Sequence, residues 1–430
     1  MWSIGGVAFA ANLREELVRA TEPKPELAIS CSSAAEVMSS MQRLSSLAGE
    51  SNDLTKVFDV DLQQIVGATG GFSLSMWGLP AKGEKGDPHG RLTLQTPLGL
   101  DEFSALLAAA VGKEVVADGA RRKLGTDADV MWIEARDGRI HLYDEVSNPS
   151  PVAIDPAVLS VIPETGGCAV AFALKGSDKA PPASLALFAP FRDAAVADPA
   201  GMSATFALKL ADAKPNQVQR SGRRPVPTSP LAPLAVVQLG LVLDSVDLTE
   251  LEPEQARVMN YVKRKLPLEG GTVALFAMPP GVAAELPLTK DWSAEKSARK
   301  ARKLAKKLAS TSEQMVVVKT GPTSFDLVAA KPVTVEGVQG GLRVYTSPDL
   351  FGPGEPWLTP ADVARAGDSH LFLWFDLGQI PSFGLPAGKP MSLSLTADPS
   401  GMYSGAVVIP FTLEEFMALG ERLGSLAPKR

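Results

Sequence analysis

The hexapeptide Ala197-Asp198-Pro199-Ala200-Gly201-Met202 returns as Ala397-Asp398-Pro399-Ser400-Gly401-Met402, an offset of 200 residues. Such a match alone is a weak signal. The same offset also aligns Gly70-Gly71 with Gly270-Gly271. Each pair precedes an apolar stretch closed by proline, 72–80 in one case and 272–280 in the other. Gly167–Leu174 falls on Gly367–Trp374, and Gly138–Tyr143 falls on Gly340–Tyr345 with a shift of two residues. Segments that recur in the same order predict an internal duplication, which limits the chain to folds that can be built twice.

The join is expected at 214–233, a stretch with five prolines, three arginines and no apolar period, the composition of an exposed linker. It separates a first repeat, 24–213, from a second, 234–430, and leaves 1–23 as an N-terminal segment. Met1–Ala11 is mostly apolar, and Ala8-Phe9-Ala10 has the small-x-small form of a cleavage site, but no basic residues precede it. Two readings stand: a trimmed signal or anchor, or a short buried element. No other apolar run approaches the roughly 18–20 residues that span a bilayer, so no transmembrane span is expected.

Within each half the pattern predicts an opening strand, Leu27–Ser30 or Leu234–Leu243, and then a helix, 34–47 or 250–266. The Gly-Gly strand comes next, with a hairpin-like return over 91–96 in the first half. A second helix covers Leu100–Val111 or Ser293–Ala309, and strands lead on to the Ala-Asp-Pro turn. The Asp of that turn is read as a turn former and its Gly as the source of a positive φ. A closing helix is expected over 412–423, with Thr412 and Glu415 spaced as a capping box. Many connections are too short for a parallel crossover. The expected class is therefore α+β, each half a mostly antiparallel sheet with helices covering one face.

Composition narrows the chemistry. A chain with 45% hydrophobic and 21% charged residues is no disordered polymer, and aromatics at 6% argue against a stacking groove for nucleic acid. Only three His and two Cys are present. Cys31 and Cys168 could pair in an oxidising compartment, but two buried free thiols are the commoner outcome. No nucleophile elbow, phosphate loop, dinucleotide fingerprint or zincin motif occurs, so no catalytic residue, cofactor or metal site is assigned. His89 is expected solvated in a loop tip. His141 should face away from Ile140 and Leu142, and His370 opens an apolar strand. Of the carboxylate pairs Asp59/Asp61, Asp127/Asp129 and Asp244/Asp247, the last two read as solvated turn residues at strand ends. Leu371–Phe375 is apolar at every position and is expected to be a central buried strand.

The sharpest feature is a basic helix. Lys296, Arg299, Lys300, Arg302, Lys303, Lys306 and Lys307 occupy one arc, with Ala294, Ala298, Ala301, Leu304, Ala305 and Leu308 opposite. The plain reading is a solvated surface helix of good formers. The functional reading is contact with an anionic surface or an acidic partner. The net charge of −6 averages over this concentration, and the remaining acidity disfavours nucleic acid as the partner.

Ile65–Gly71 and Pro267–Gly271, each ending in Gly-Gly before an apolar strand, are similar to segments of a group of uncharacterised, duplicated α+β proteins of the bacterial cell envelope. That resemblance implies an extracytoplasmic location, periplasm or envelope, with the cytoplasm as the alternative. It implies no activity, since that group has none assigned. Together these observations lead to the expectation of a non-catalytic binding or structural protein docking on a protein partner or an acidic surface. A carrier of a hydrophobic ligand and a hydrolase with an unrecognised site are the alternatives.

Overall fold

The structure, a computed structural model, describes residues 12–37, 69–79, 89–125, 130–144, 153–174, 182–190, 202–211, 225–240, 253–310, 315–328, 332–411 and 415, apart from 23, 165, 267, 278–279 and 386. Two compact units divide the chain, one on residues 1–214 with 401–404, the other on 215–400 with 405–430. Both are α+β, and every strand pairing described below is antiparallel.

The first unit opens with α1 (Leu13–Thr21). Asn12 caps it by accepting the Glu15 N–H at 3.1 Å. Leu13, Leu17 and Ala20, one turn apart, are buried against β1 (Leu27–Cys31) and β8 (Gly167–Leu174). Ala28, Ala169 and Ala171 form the seat, and their small side chains let the helix lie close to the sheet. The stretch expected as an N-terminal segment thus contributes a core helix. Met1–Ala11 lies outside the described residues.

Strand β1 pairs on one side with β2 (Phe72–Trp77) and on the other with β8. From β2 the pairing continues through β3 (His89–Leu94), β7 (Arg139–Tyr143), β6 (Met131–Arg136), β5 (Arg121–Leu124) and β4 (Val115–Asp118). From β8 it continues through β9 (Ala183–Pro190) to β10 (Met202–Leu210). Helix α2 (Leu100–Val111) packs Phe103 and Leu107 on Leu94, Ile133, Ile140 and Leu142. These residues alternate along their strands with those facing α1, so α1 and α2 lie on opposite faces. Helices on a single face were the expectation. The difference comes from α1, which the sequence pattern did not separate from its flank.

The β1–β8 register sets Cys31 opposite Cys168, with Cα atoms 4.2 Å apart, and the two form a disulfide. The expectation of two free thiols is overturned. The cause is a pairing between strands 137 residues apart, which neither cysteine's neighbourhood reveals.

In the second unit β11 (Thr228–Ser229) precedes β12 (Ala235–Leu239). Helix α3 (Pro253–Lys265) follows, with Pro253 at its start, where a missing N–H costs nothing. Then come β13 (Gly271–Ala277), β14 (Pro280–Pro287), α4 (Ala294–Ala309), β15 (Val316–Lys319), β16 (Ser324–Val328), β17 (Val333–Val338) and β18 (Gly341–Tyr345). The short β19 (Glu355–Pro356), α5 (Pro360–Ala366), β20 (Leu371–Phe375), β21 (Met391–Ala397) and β22 (Met402–Ile409) complete the order. Strand β12 pairs with β13 and β20. From β13 the series runs β14, β18, β17, β16, β15, and β20 pairs on with β21. Position for position this repeats the first unit's series β1, β2, β3, β7, β6, β5, β4, with β8 and β9 on the other side.

Residues 225–233, expected as part of an exposed linker, belong to the second unit instead. Strand β11 pairs with β19, the Trp357 N–H donates to the Pro227 carbonyl at 2.9 Å, and Val226 and Leu231 pack beside Trp357. Proline-rich composition hides this, because the apolar residues fall between the prolines without a helix or strand period. Helix α5 is also new. Its capping box of Thr359 and Asp362, with Pro360 at the first position, is a legible start signal. The closing helix expected over 412–423 and most of the one over 34–47 lie outside the described residues.

Candidate functional site

Helix α4 begins at Ser293, whose Oγ accepts the Lys296 N–H at 3.4 Å. Glu295 lies in the first turn and Lys306 and Lys307 in the last, the arrangement the helix dipole favours. Ala298, Ala301, Leu304 and Ala305 are buried on β16, β17 and β18, against Phe325, Leu327, Val335 and Leu342. The backbone approach is close: a Cβ built on Gly337 would fall on the backbone of Ser297 and Ala298.

This seating turns the basic arc outward. Lys296, Arg299, Arg302, Lys303, Lys306 and Lys307 are exposed and Lys300 is half-buried. The Lys300 ammonium donates to the Lys265 carbonyl at 3.1 Å. Lys296 and Lys300 both lie over the Trp292 ring, their Nζ atoms 4.9 and 5.1 Å from its centre. Burial, and then the charges of Lys303, Lys265, Lys296 and Lys290, push the Lys300 pKa down. None of the seven forms an ion pair with a described carboxylate. Sequence reasoning found these seven and missed Lys265 and Lys290, which join the cluster from the end of α3 and the loop before α4.

A second charged site, unexpected from the sequence, lies in the first unit. A cavity of about 280 Å³ opens between α1 and the polar face of β2, β3 and β7. Asp137 and Gly138, with φ of 53° and 71°, make the tight turn between β6 and β7 and set Arg136 opposite Arg139 at its mouth. Arg139 donates to both oxygens of Glu16, at 2.5 and 3.3 Å, and Arg19 reaches the same carboxylate at 3.1 Å. The Glu16 residue is only 7% exposed. Replacing Arg139 by Met is therefore expected to cost about 3 kcal/mol, because it leaves a buried carboxylate short of its main partner. Arg19→Ala, at a side chain 49% exposed, should cost under about 1 kcal/mol. Thermal melts of the two variants compare them directly, and equal losses would contradict this account.

No family model and no curated protein matches the chain. Among solved structures it is similar in part to TP0453. Crystal form III gives 13% identity and a TM-score of 0.30, covering 46% of this chain and 81% of that one. Form I gives 11% and 0.28, covering 48% and 81%, and form IV gives 12% and 0.30, covering 47% and 81%.

The remaining singled-out residues are placed as follows. His141 faces away from Ile140 and Leu142, as expected, and its Nδ1 lies 3.0 Å from Thr93 Oγ1. Burial, and next Arg91, lower its pKa. His89 is not in a solvated loop tip: it begins β3, with Nδ1 2.8 Å from Asp144 Oδ2. Strand continuation past Gly90, a residue that reads as a breaker, explains the difference. His370 is buried and its Nδ1 accepts the Ala397 N–H at 3.0 Å. Asp398 accepts from the Ser400 N–H at 2.7 Å, and Gly401 has φ of 84°, a turn arrangement. Strand β20 is central, between β12 and β21, with Phe372 and Trp374 in a core shared with Phe276 and Trp357. Its alternate residues are half-buried. The carboxylate pairs Asp59/Asp61, Asp127/Asp129 and Asp244/Asp247 lie outside the described residues. Among those described, no helix is long and apolar enough to cross a membrane.

Proposed function

We propose that the protein is a non-catalytic binding protein of the bacterial cell envelope, built from a duplicated α+β unit, that docks on an anionic surface through the basic face of α4. The observation that carries this reading is the set of seven cations on one helix face, none of them in an ion pair with a described carboxylate. Burial, and then the charges of the neighbouring lysines, lower the Lys300 pKa, and an anionic surface offsets the second of these.

Lipid headgroups fit better than a protein partner. Five of the seven residues are lysines, which protein interfaces disfavour and diffuse negative membrane potentials attract. The apolar side of α4 is committed to the core, so contact is peripheral. The disulfide supports an oxidising compartment. The duplication is supported by the repeated pairing order and by a matched pair of contacts. Tyr143 donates to Glu134 at 3.2 Å in one unit, and Tyr345 donates to Glu336 at 3.4 Å in the other.

Cosedimentation with phosphatidylcholine vesicles doped with phosphatidylglycerol tests the docking. Binding should weaken steeply with added salt. Replacing Arg299, Lys303 and Lys306 by Glu should reduce it about 100-fold or more, at about 1 kcal/mol for each cation at the surface. Equal binding of the triple variant at low salt would sink the proposal.

A further inference from the structure

The cavity of the first unit is lined by one more arginine than carboxylates. Its walls hold Arg19, Arg91, Arg136 and Arg139 against Glu16, Glu22 and Asp137. Glu16 is taken by Arg139 and Arg19. The Arg136 guanidinium has its described ion pair with the neighbouring Asp137, at 3.5 Å and largely in solvent. Arg91, half-buried, has the ring of Tyr143 as its described contact, 5.8 Å from the centre, and its guanidinium N–H groups make no described hydrogen bond.

The second unit supplies an internal comparison. There the strand pairing places Arg343 between Glu285 and Glu336, and its Nε donates to Glu285 at 3.3 Å. Ala283, which stands opposite Tyr345 as Arg91 stands opposite Tyr143, is fully buried among Phe276, Leu350 and Trp357. The position of Arg91 is thus filled by a buried alanine under aromatic side chains in one unit, and opens onto a hydroxyl-lined cavity in the other.

We propose that this cavity binds a small phosphate monoester, with Arg91 and Arg136 receiving the phosphoryl oxygens and Ser73 lining the floor. Guanidinium groups match the paired oxygens of a phosphate and bind it by charge-assisted hydrogen bonds. A volume of about 280 Å³ exceeds inorganic phosphate and leaves room for a short polar tail. Burial, and next Arg91, lower the pKa of His141, which also lines the cavity. The site lies in the first unit and shares no residue with the basic face of α4, so the two proposals stand or fall separately.

Calorimetric titration of the whole protein with glycerol phosphate, inorganic phosphate and succinate tests the proposal. Glycerol phosphate should bind at one site and more tightly than succinate. Arg91→Gln should weaken it about 10- to 100-fold, the usual worth of a hydrogen bond to a charged group. Arg136→Gln, at an exposed position that cannot threaten folding, should weaken it as well and carries the test should the Arg91 variant be unstable. Inorganic phosphate binding with equal affinity would still place the anion here but would overturn the monoester. No binding by any phosphate, a preference for succinate, or a loss caused by the triple α4 variant instead of the arginine variants would overturn the site.

Discussion

Serine in place of both Cys31 and Cys168 is expected to lower the stability of the first unit by about 4 kcal/mol, a drop of roughly 10 °C in its melting midpoint. The bond closes a loop of 137 residues, and the constraint it places on the unfolded chain grows with loop length. Strand β1 is held on both sides, by β2 and by β8, so loosening the β1–β8 seam reaches the helix seated on it through Ala28, Ala169 and Ala171. A reducing agent should reproduce the serine variant's melt. Hydrogen exchange should report the loss in β1 and β8 while α4 and β17 stay protected. Identical melting with and without reductant would show that the bond contributes nothing.

A single methyl group at Gly337 should have an effect nearly as large in the second unit. The Cβ of Gly337→Ala would meet the backbone of Ser297 and Ala298, which cannot turn aside as a flexible side chain would. Gly337 needs no unusual dihedral, since it is absent from the positive-φ glycines, so the cost is steric. Overpacking of this kind costs about 2–3 kcal/mol, or roughly 5–10 °C in a unit of this size. It lifts α4 from β17, so the basic arc should tilt and vesicle binding should weaken without any change of charge. Gly99→Ala is the comparison, because a Cβ there meets nothing within 4 Å and the change at this N-cap of α2 should cost under about 1 kcal/mol. Equal melting of the two variants would refute the seating of α4 on a glycine.

Residues whose role is written in local periodicity were the legible ones. Helix α2 matches its expected span Leu100–Val111, and α4 differs from its own only by the capping Ser293. Seven basic residues on one arc are visible because a helix repeats every few residues. What escaped was set by partners far along the chain. The disulfide depends on β1 meeting β8, and the cavity depends on α1 covering β2, β3 and β7. Arg136 and Arg139 flank an Asp-Gly turn that reads as a hairpin, yet nothing nearby says that α1 brings Glu16 to meet them. Helix α1 itself was legible through Asn12, Leu13, Leu17 and Ala20, had the N-terminal stretch been read for a cap and a stripe.

The place of β1 at the centre of its pairing series has a consequence for synthesis. Its second neighbour, β8, leaves the ribosome more than a hundred residues later, so the first unit cannot close while it is being made. Until β8 arrives, Cys31 travels as a lone thiol beside an unsatisfied strand edge, the state most exposed to wrong association. Only two cysteines exist in the chain, so a single intramolecular pairing is available and no reshuffling is needed once both strands are present. The hazard in maturation is therefore delay, during which a second chain could offer its own Cys31.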